Sequence, residues 1–225
     1  MDCAKLLAPT GRIRAALNLT NAALVAINDD GSIGGRSAEL AFLIGRRVGH
    51  LVDLIGYDSP AKIVAALQAN EWDIAFIAAD PSREDRFAFS RPYSTAEVTF
   101  AAPLGSPLTG AEEIDMPGVR VASAGGSAYD LVLRRSLKSA QLVSCETAEA
   151  SFELLMDGRA HCVAGVREAL AKFVTAVPGY RVLEVNIATI DQAVAVIRER
   201  AAIIPLIDAV ISAQARLATD RSHRS

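Results

Sequence analysis

The chain has 225 residues, of which 51 % are hydrophobic and 22 % charged, enough apolar material for one large domain or two small lobes and far from the composition of a disordered segment. With 23 Lys and Arg against 26 Asp and Glu, the formal charge of -3 gives no diffuse positive field, so DNA and RNA are not expected partners. No apolar run approaches the roughly 20 residues that a bilayer-crossing helix needs, so the chain is not expected to span a membrane. The opening residues 1–7 lack a basic segment followed by an apolar stretch, and no export signal is read there.

Taken in chain order, residues 12–19 read as a strand and 37–48 as a helix, with Leu40, Leu43, Ile44 and Val48 at helical spacing behind the Gly34-Gly35 pair. Residues 51–57 read as a strand, 60–68 as a helix burying Ile63, Val64 and Leu67, and 73–79 as a nearly continuous apolar strand. Strand, helix, strand in this order predicts a parallel sheet with crossover helices, the α/β class. After the polar stretch 80–86, a strand is expected over 96–102, with Pro103, Gly105 and Pro107 marking a break.

A second α/β pattern follows: strand 119–123, helix 128–137, strand 142–145, helix 148–157 closed by Gly158, and a buried strand 161–164. Residues 182–190 read as another strand and 201–217 as a closing helix, with a polar tail over 218–225 expected to fray. Trp72, just before the strand at 73–79, is expected to pack helix against sheet.

Catalytic signatures are missing. His50, His161 and His223 are scattered, and no Gly-x-Ser-x-Gly elbow, P-loop or HExxH occurs. His161 and Cys162 are neighbours, yet adjacent strand residues point to opposite faces and do not pair. Cys3, Cys145 and Cys162 have no metal-ligand spacing, so they read as buried or incidental thiols and no metal or cofactor is expected.

Several short motifs recur in one order: Gly11-Arg12-Ile13-Arg14; residues 65–75 with Asn70-Glu71-Trp72-Asp73; Arg83 six residues before Phe89-Ser90; Pro92-Tyr93; Gly118-Val119-Arg120-Val121 with Gly125-Gly126-Ser127; and Leu155-Met156-Asp157-Gly158-Arg159. In that order the chain resembles family 3 of the extracellular solute-binding proteins, the two-lobed periplasmic receptors of ABC importers, many of them for amino acids. The resemblance implies a type II periplasmic-binding-protein fold with two hinge crossovers. Lobe one would comprise residues 1–95 and 189–225, and lobe two residues 96–188. It further implies a monomeric receptor that holds a small carboxylate-bearing ligand in an interlobe cleft, with an ABC transporter permease as partner and the periplasm as location.

The same resemblance supplies the expected ligand-binding residues. Arg83 would grip the carboxylate through two parallel hydrogen bonds, beside Ala78 at the end of its strand. Gly125, Gly126 and Ser127 would present free backbone N–H groups at a helix start, with Ser127 as N-cap. Asp80 stands where the family has a hydroxyl residue; it either meets a ligand ammonium or orients Arg83. Gly125 stands in place of a threonine, and Val166 in place of the aspartate that holds an α-ammonium, which points away from a standard α-amino-acid site. Arg167 either adds a second cation to the cleft or begins a solvated helix. Asn18, Thr20 and Asn21 end the first strand, where Asn21 replaces a stacking aromatic; Asn18 and Thr20 either donate to the ligand or shape the turn. Lys62 is a lesser candidate for a polar contact. Two other classes remain open: an enzyme like the cyclohexadienyl dehydratases with Asp80 as acid, and a cytosolic ligand sensor signalling through a partner.

Overall fold

The computed structural model describes residues 3–67 and 69–222, with side chains described over 5–67 and 69–216. His223 and the side chain of Cys3 therefore lie outside the described residues. The chain divides into two compact units: one holds the chain up to Asp58, Lys62–Ser94 and the part from Asp191 onward, and the other holds Ser59–Ala61 and Thr95–Ile190.

In chain order come α1 (Cys3–Leu7), β1 (Ile13–Asn18), β2 (Ala26–Ile27), β3 (Ile33–Gly34), α2 (Arg36–Val48), β4 (Val52–Tyr57), α3 (Pro60–Ala66), β5 (Ile74–Ala78), a 3-10 turn (Pro81–Arg83) and β6 (Phe87–Phe89), all in the first unit except the opening residues of α3. The second contains β7 (Ser94–Pro103), α4 (Ala111–Ile114), β8 (Arg120–Ala124), α5 (Ala128–Ser136), β9 (Gln141–Cys145), α6 (Ala148–Met156), β10 (Cys162–Val166), α7 (Arg167–Ala176) and β11 (Tyr180–Val182). The chain then passes through β12 (Ala188–Ile197) and a 3-10 stretch (Arg198–Ile203) to α8 (Ile204–Ser222) in the first unit.

In the first unit β1 lies between β4 and β5, parallel to both, and β12 runs antiparallel to β5. All five side chains of β5 are buried, because helices cover both faces of a strand at this position and the polar alternation of a half-exposed strand is lost. One apolar cluster joins Ile13, Leu17, Leu40, Ile44, Ile74, Val194 and Ile207; another joins Ile63, Trp72, Ile77 and Phe87. Each fully buried Leu or Ile contributes about 1.5–3 kcal/mol. Trp72 packs as expected: its ring lies 5.9 Å from Phe87, and its indole N–H donates to the Ile63 carbonyl at 2.9 Å. Beneath this core the buried Asp73 carboxylate receives Arg14 and Arg200, each at 3.0 Å.

In the second unit the order is β7-β10-β8-β9, with β10 antiparallel to β7 and parallel to β8, and β8 parallel to β9. Phe100, Val121, Leu133, Cys162 and Leu183 form one cluster, and Leu155, Val163, Leu170 and Phe173 another. Gly158 follows α6 with φ 69, the left-handed conformation that suits glycine at a helix end.

Two expectations need correction. Residues 182–190 are not one strand: β11 ends at Val182 and β12 begins at Ala188. Between them the Leu183, Glu184 and Val185 carbonyls accept from the side chains of Thr99 and Arg167 in place of a regular ladder. At the far end, α8 continues through residues 218–222 of the expected tail, and residues 223–225 lie outside the description.

Candidate functional site

Arg83 is positioned by a local device that starts at the end of β5. Asp80 caps the 3-10 turn, its Oδ1 accepting from the Ser82 N–H at 2.9 Å and the Ser82 hydroxyl at 2.6 Å, with Pro81 at the first position. The turn sends the Arg83 side chain back to the strand end, where Nη1 donates to the Ala78 carbonyl at 2.9 Å. Asp80 and Arg83 are each only 4 % exposed. Burial pulls the Arg83 pKa down, the charge of Asp80 works against that, and Arg86 adds to the lowering.

Ala78 therefore enters this half through its carbonyl, and Asp80 as the cap of the turn that carries Arg83. Asn18 and Thr20 shape a turn: Asn18 Oδ1 accepts from the Thr20 hydroxyl at 2.9 Å and the Thr20 N–H at 3.3 Å, while the Asn21 N–H donates to the Asn18 carbonyl at 3.1 Å. Lys62 pairs with Asp58 at 2.6 Å.

The second unit departs from the sequence reading at the glycine loop. Ser127 is the N-cap, its hydroxyl accepting from the Asp130 N–H at 3.1 Å. The loop's amides, however, are not free. Gly125 N–H donates to the Cys145 carbonyl at 2.7 Å, Gly126 N–H to Asp130 Oδ2 at 3.0 Å, and Ser127 N–H to the Ala124 carbonyl at 3.2 Å. Asp130 is fully buried and also accepts from Ser123 and Ser144, both at 2.6 Å, and from Arg134 at 2.8 Å. Burial pushes its pKa up, but these hydrogen bonds prevail and hold it below the usual carboxylate value. The loop thus carries its own internal carboxylate. Gly126, at φ 72, makes the left-handed turn that aims its amide at that carboxylate.

Arg167, at the start of α7, is engaged by side-chain and backbone acceptors of its own unit. Its Nε donates to Glu97 at 2.9 Å, Nη1 to the Leu183 carbonyl at 3.2 Å, and Nη2 to the Glu184 and Val185 carbonyls at 3.2 and 3.4 Å. It fastens the start of α7 to the irregular segment before β12. Val166, immediately before it, ends β10. His161 Nδ1 accepts the Arg120 N–H at 2.9 Å, and Cys162 is buried. Among the described residues no group of three or more His, Cys, Asp or Glu side chains is placed to hold a metal, and no helix is long and apolar enough to cross a membrane.

Sequence reasoning missed Asp130. The signal was present: Ser127-x-x-Asp130 at the mouth of a helix is the spacing of a capping box.

Two α/β units of this composition define the fold class of the two-lobed periplasmic binding proteins, and comparison with solved structures agrees. The P235GK mutant of ArgBP from T. maritima matches with a TM-score of 0.81 at 19 % identity, covering 96 % of this chain and 95 % of that one. AbpA, an amino acid ABC transporter substrate-binding protein from Streptococcus pneumoniae bound to L-arginine, matches with a TM-score of 0.81 at 20 % identity, over 95 % and 93 %. The ancestral amino acid-binding protein AncCDT-1, a precursor of cyclohexadienyl dehydratase, matches with a TM-score of 0.78 at 19 % identity, over 95 % and 93 %. These likenesses establish the fold.

The chain belongs to the bacterial extracellular solute-binding proteins, family 3, whose pattern it matches over residues 13–220. Among curated proteins, the virulence sensor protein BvgS of Bordetella bronchiseptica is 28 % identical over 150 residues, 66 % of this chain. The chain spans only about 12 % of the length of that relative.

Proposed function

We propose that this chain captures a small carboxylate-bearing solute, amino-acid-like or an organic acid, with Arg83 as the group that meets the carboxylate. The observation carrying this reading is the buried guanidinium at the end of β5, held there by its own turn. A carboxylate matches the planar fork of the side chain. The arginine-bound structures of ArgBP and AbpA support an amino-acid-like solute. Val166 and the occupied amides of the 125–127 loop favour a ligand recognised differently from a standard α-amino acid. On this reading the protein is a monomer in the periplasm that delivers its solute to an ABC permease.

A second reading, favoured by the matches to BvgS, is that the chain is the ligand-sensing part of a signalling system. A dehydratase-like activity is the less favoured alternative, because Asp80 already serves as an acceptor for the Ser82 N–H and hydroxyl.

The test is a thermal-shift screen against L-arginine and other amino acids, hydroxy acids, dicarboxylates and prephenate, since a ligand specific for the folded state raises the melting temperature by mass action. A carboxylate hit abolished in Arg83→Ala supports the reading, and turnover of that hit moves the assignment to the enzyme. No carboxylate hit, or a hit indifferent to Arg83, overturns it.

A further inference from the structure

The first unit holds a second cationic feature that does not involve Arg83. A cavity of about 800 Å³ is lined by Arg36 and Glu39 of α2, Arg91 and Tyr93 of the segment after β6, and Ser212 and Arg216 of α8. Two of its three guanidinium groups converge on one residue of α8. Arg91 Nη1 donates to the Ser212 hydroxyl at 2.7 Å, and Arg216 Nε to the Ser212 carbonyl at 3.4 Å. The Arg91 backbone is tied to the same helix by its N–H, which donates to Asp208 Oδ1 at 2.7 Å. On the α2 side, the Tyr93 hydroxyl and the Ser37 hydroxyl lie 2.8 Å apart. Arg36 adjoins this pair, its charge acting on the Tyr93 hydroxyl, and its guanidinium has no hydrogen bond or ion pair among the described residues.

Among the described residues, three guanidinium groups therefore line one concavity against the single lining carboxylate of Glu39; even with Asp208 counted, the balance is positive. This runs against the chain's overall charge of -3. Like charges held on one wall repel, and a bound anion with several oxygens relieves that repulsion. Each arginine fork addresses two oxygens at once. A monocarboxylate offers only two in all, whereas a phosphate ester or a polycarboxylate offers enough for forks arriving from three elements. The cavity has the size of a small-molecule site and is not a flat face suited to a polymer.

We infer that this cavity binds a small multivalent oxyanion of the phosphate or polycarboxylate class at Arg36, Arg91 and Arg216, independently of the Arg83 site. Inorganic pyrophosphate and citrate serve as probes of the two classes, titrated into the intact chain at low salt, with sodium chloride at matched ionic strength as control. One or both probes are expected to raise the melting temperature by about 2–4 °C near saturation. Calorimetric affinity is expected to fall about tenfold in each of Arg36→Gln and Arg216→Gln, as for loss of a charge-assisted fork. Both side chains are exposed, and the fold of each variant is to be checked by far-UV circular dichroism. Arg83→Ala keeps the effect, which separates this site from the proposed solute site. The inference is overturned by chloride giving the same rise, by unchanged affinity in both variants, by no rise with either probe, or by binding of polyglutamate alone.

Discussion

Asp130 accepts the amide N–H of Gly126 at 3.0 Å, so the turn that opens α5 is closed by a carboxylate one helical turn further along the same chain. Three other donors, on Ser123, Ser144 and Arg134, converge on the same carboxylate, and the Asp130 side chain has no exposure to solvent. A glycine loop before a helix is often read as an anion cradle; this one is already filled from within.

Removing that carboxylate leaves the buried Ser123 hydroxyl, the Ser144 hydroxyl and the Gly126 amide without their acceptor. Asp130→Ala is expected to destabilise the protein by about 2–4 kcal/mol, measured by urea unfolding. Asp130→Asn, which keeps the shape and one acceptor oxygen, is expected to cost less. Equal stability of the alanine variant and the parent would contradict the role assigned here.

The same group sets an acid limit. Its folded pKa lies below the ordinary carboxylate value of about 3.9, so its contribution is fully present above that value and is lost as pH falls through the folded pKa. Thermal unfolding followed from pH 6 down to pH 2 is expected to show a fall in stability below about pH 4 that is smaller in Asp130→Asn. An identical acid profile in the two proteins would remove Asp130 as the source.

Arg83→Ala is expected to weaken capture of the carboxylate solute by several kcal/mol, on the order of 3, the scale for removing one partner of a desolvated charge pair. Calorimetry with the hit from the screen reads this directly. Arg83→Lys is expected to rescue it only in part, because an ammonium lacks the planar fork.

Arg167 behaves differently. Its three nitrogens hold Glu97 and the carbonyls of residues 183–185, so Arg167→Ala is expected to lower stability by about 1–2 kcal/mol while leaving affinity for the carboxylate solute within twofold or so. A large loss of affinity with unchanged stability would return Arg167 to the ligand site.

The thiols make a fourth case. Burial pushes the Cys162 pKa up to about 12, and burial also raises that of Cys145, which is only partly covered. In a Cys3→Ser background, Ellman's reagent at pH 8 is expected to label Cys145 well before Cys162, which reacts only on unfolding. Simultaneous labelling in the native protein would show that β10 opens readily.

Much of the architecture was legible because periodicity reports burial. The run at 74–78 reads as a covered strand, and the spacing of Leu40 and Ile44 reads as a helix face, without further information. The stretch 182–190 was misread because its backbone acceptors are engaged by side chains from Thr99 and Arg167, partners more than a dozen residues away that no local pattern reveals. Candidate site residues divide the same way. Arg83 is singled out only through the family resemblance, and the turn of Asn18 with Thr20 through local turn chemistry. Whether an amide in the 125–127 loop is free depends on where Asp130 and Cys145 come to lie, which is a tertiary fact.

The Asp73 carboxylate binds Arg14 from the beginning of the first unit and Arg200 from its final segment. A polypeptide made from its N-terminus thus supplies Ser59–Ala61 and Thr95–Ile190, the whole of the second unit, before Arg200 exists. Vectorial synthesis leaves Asp73 with one of its two guanidinium partners until the second unit's residues have been made.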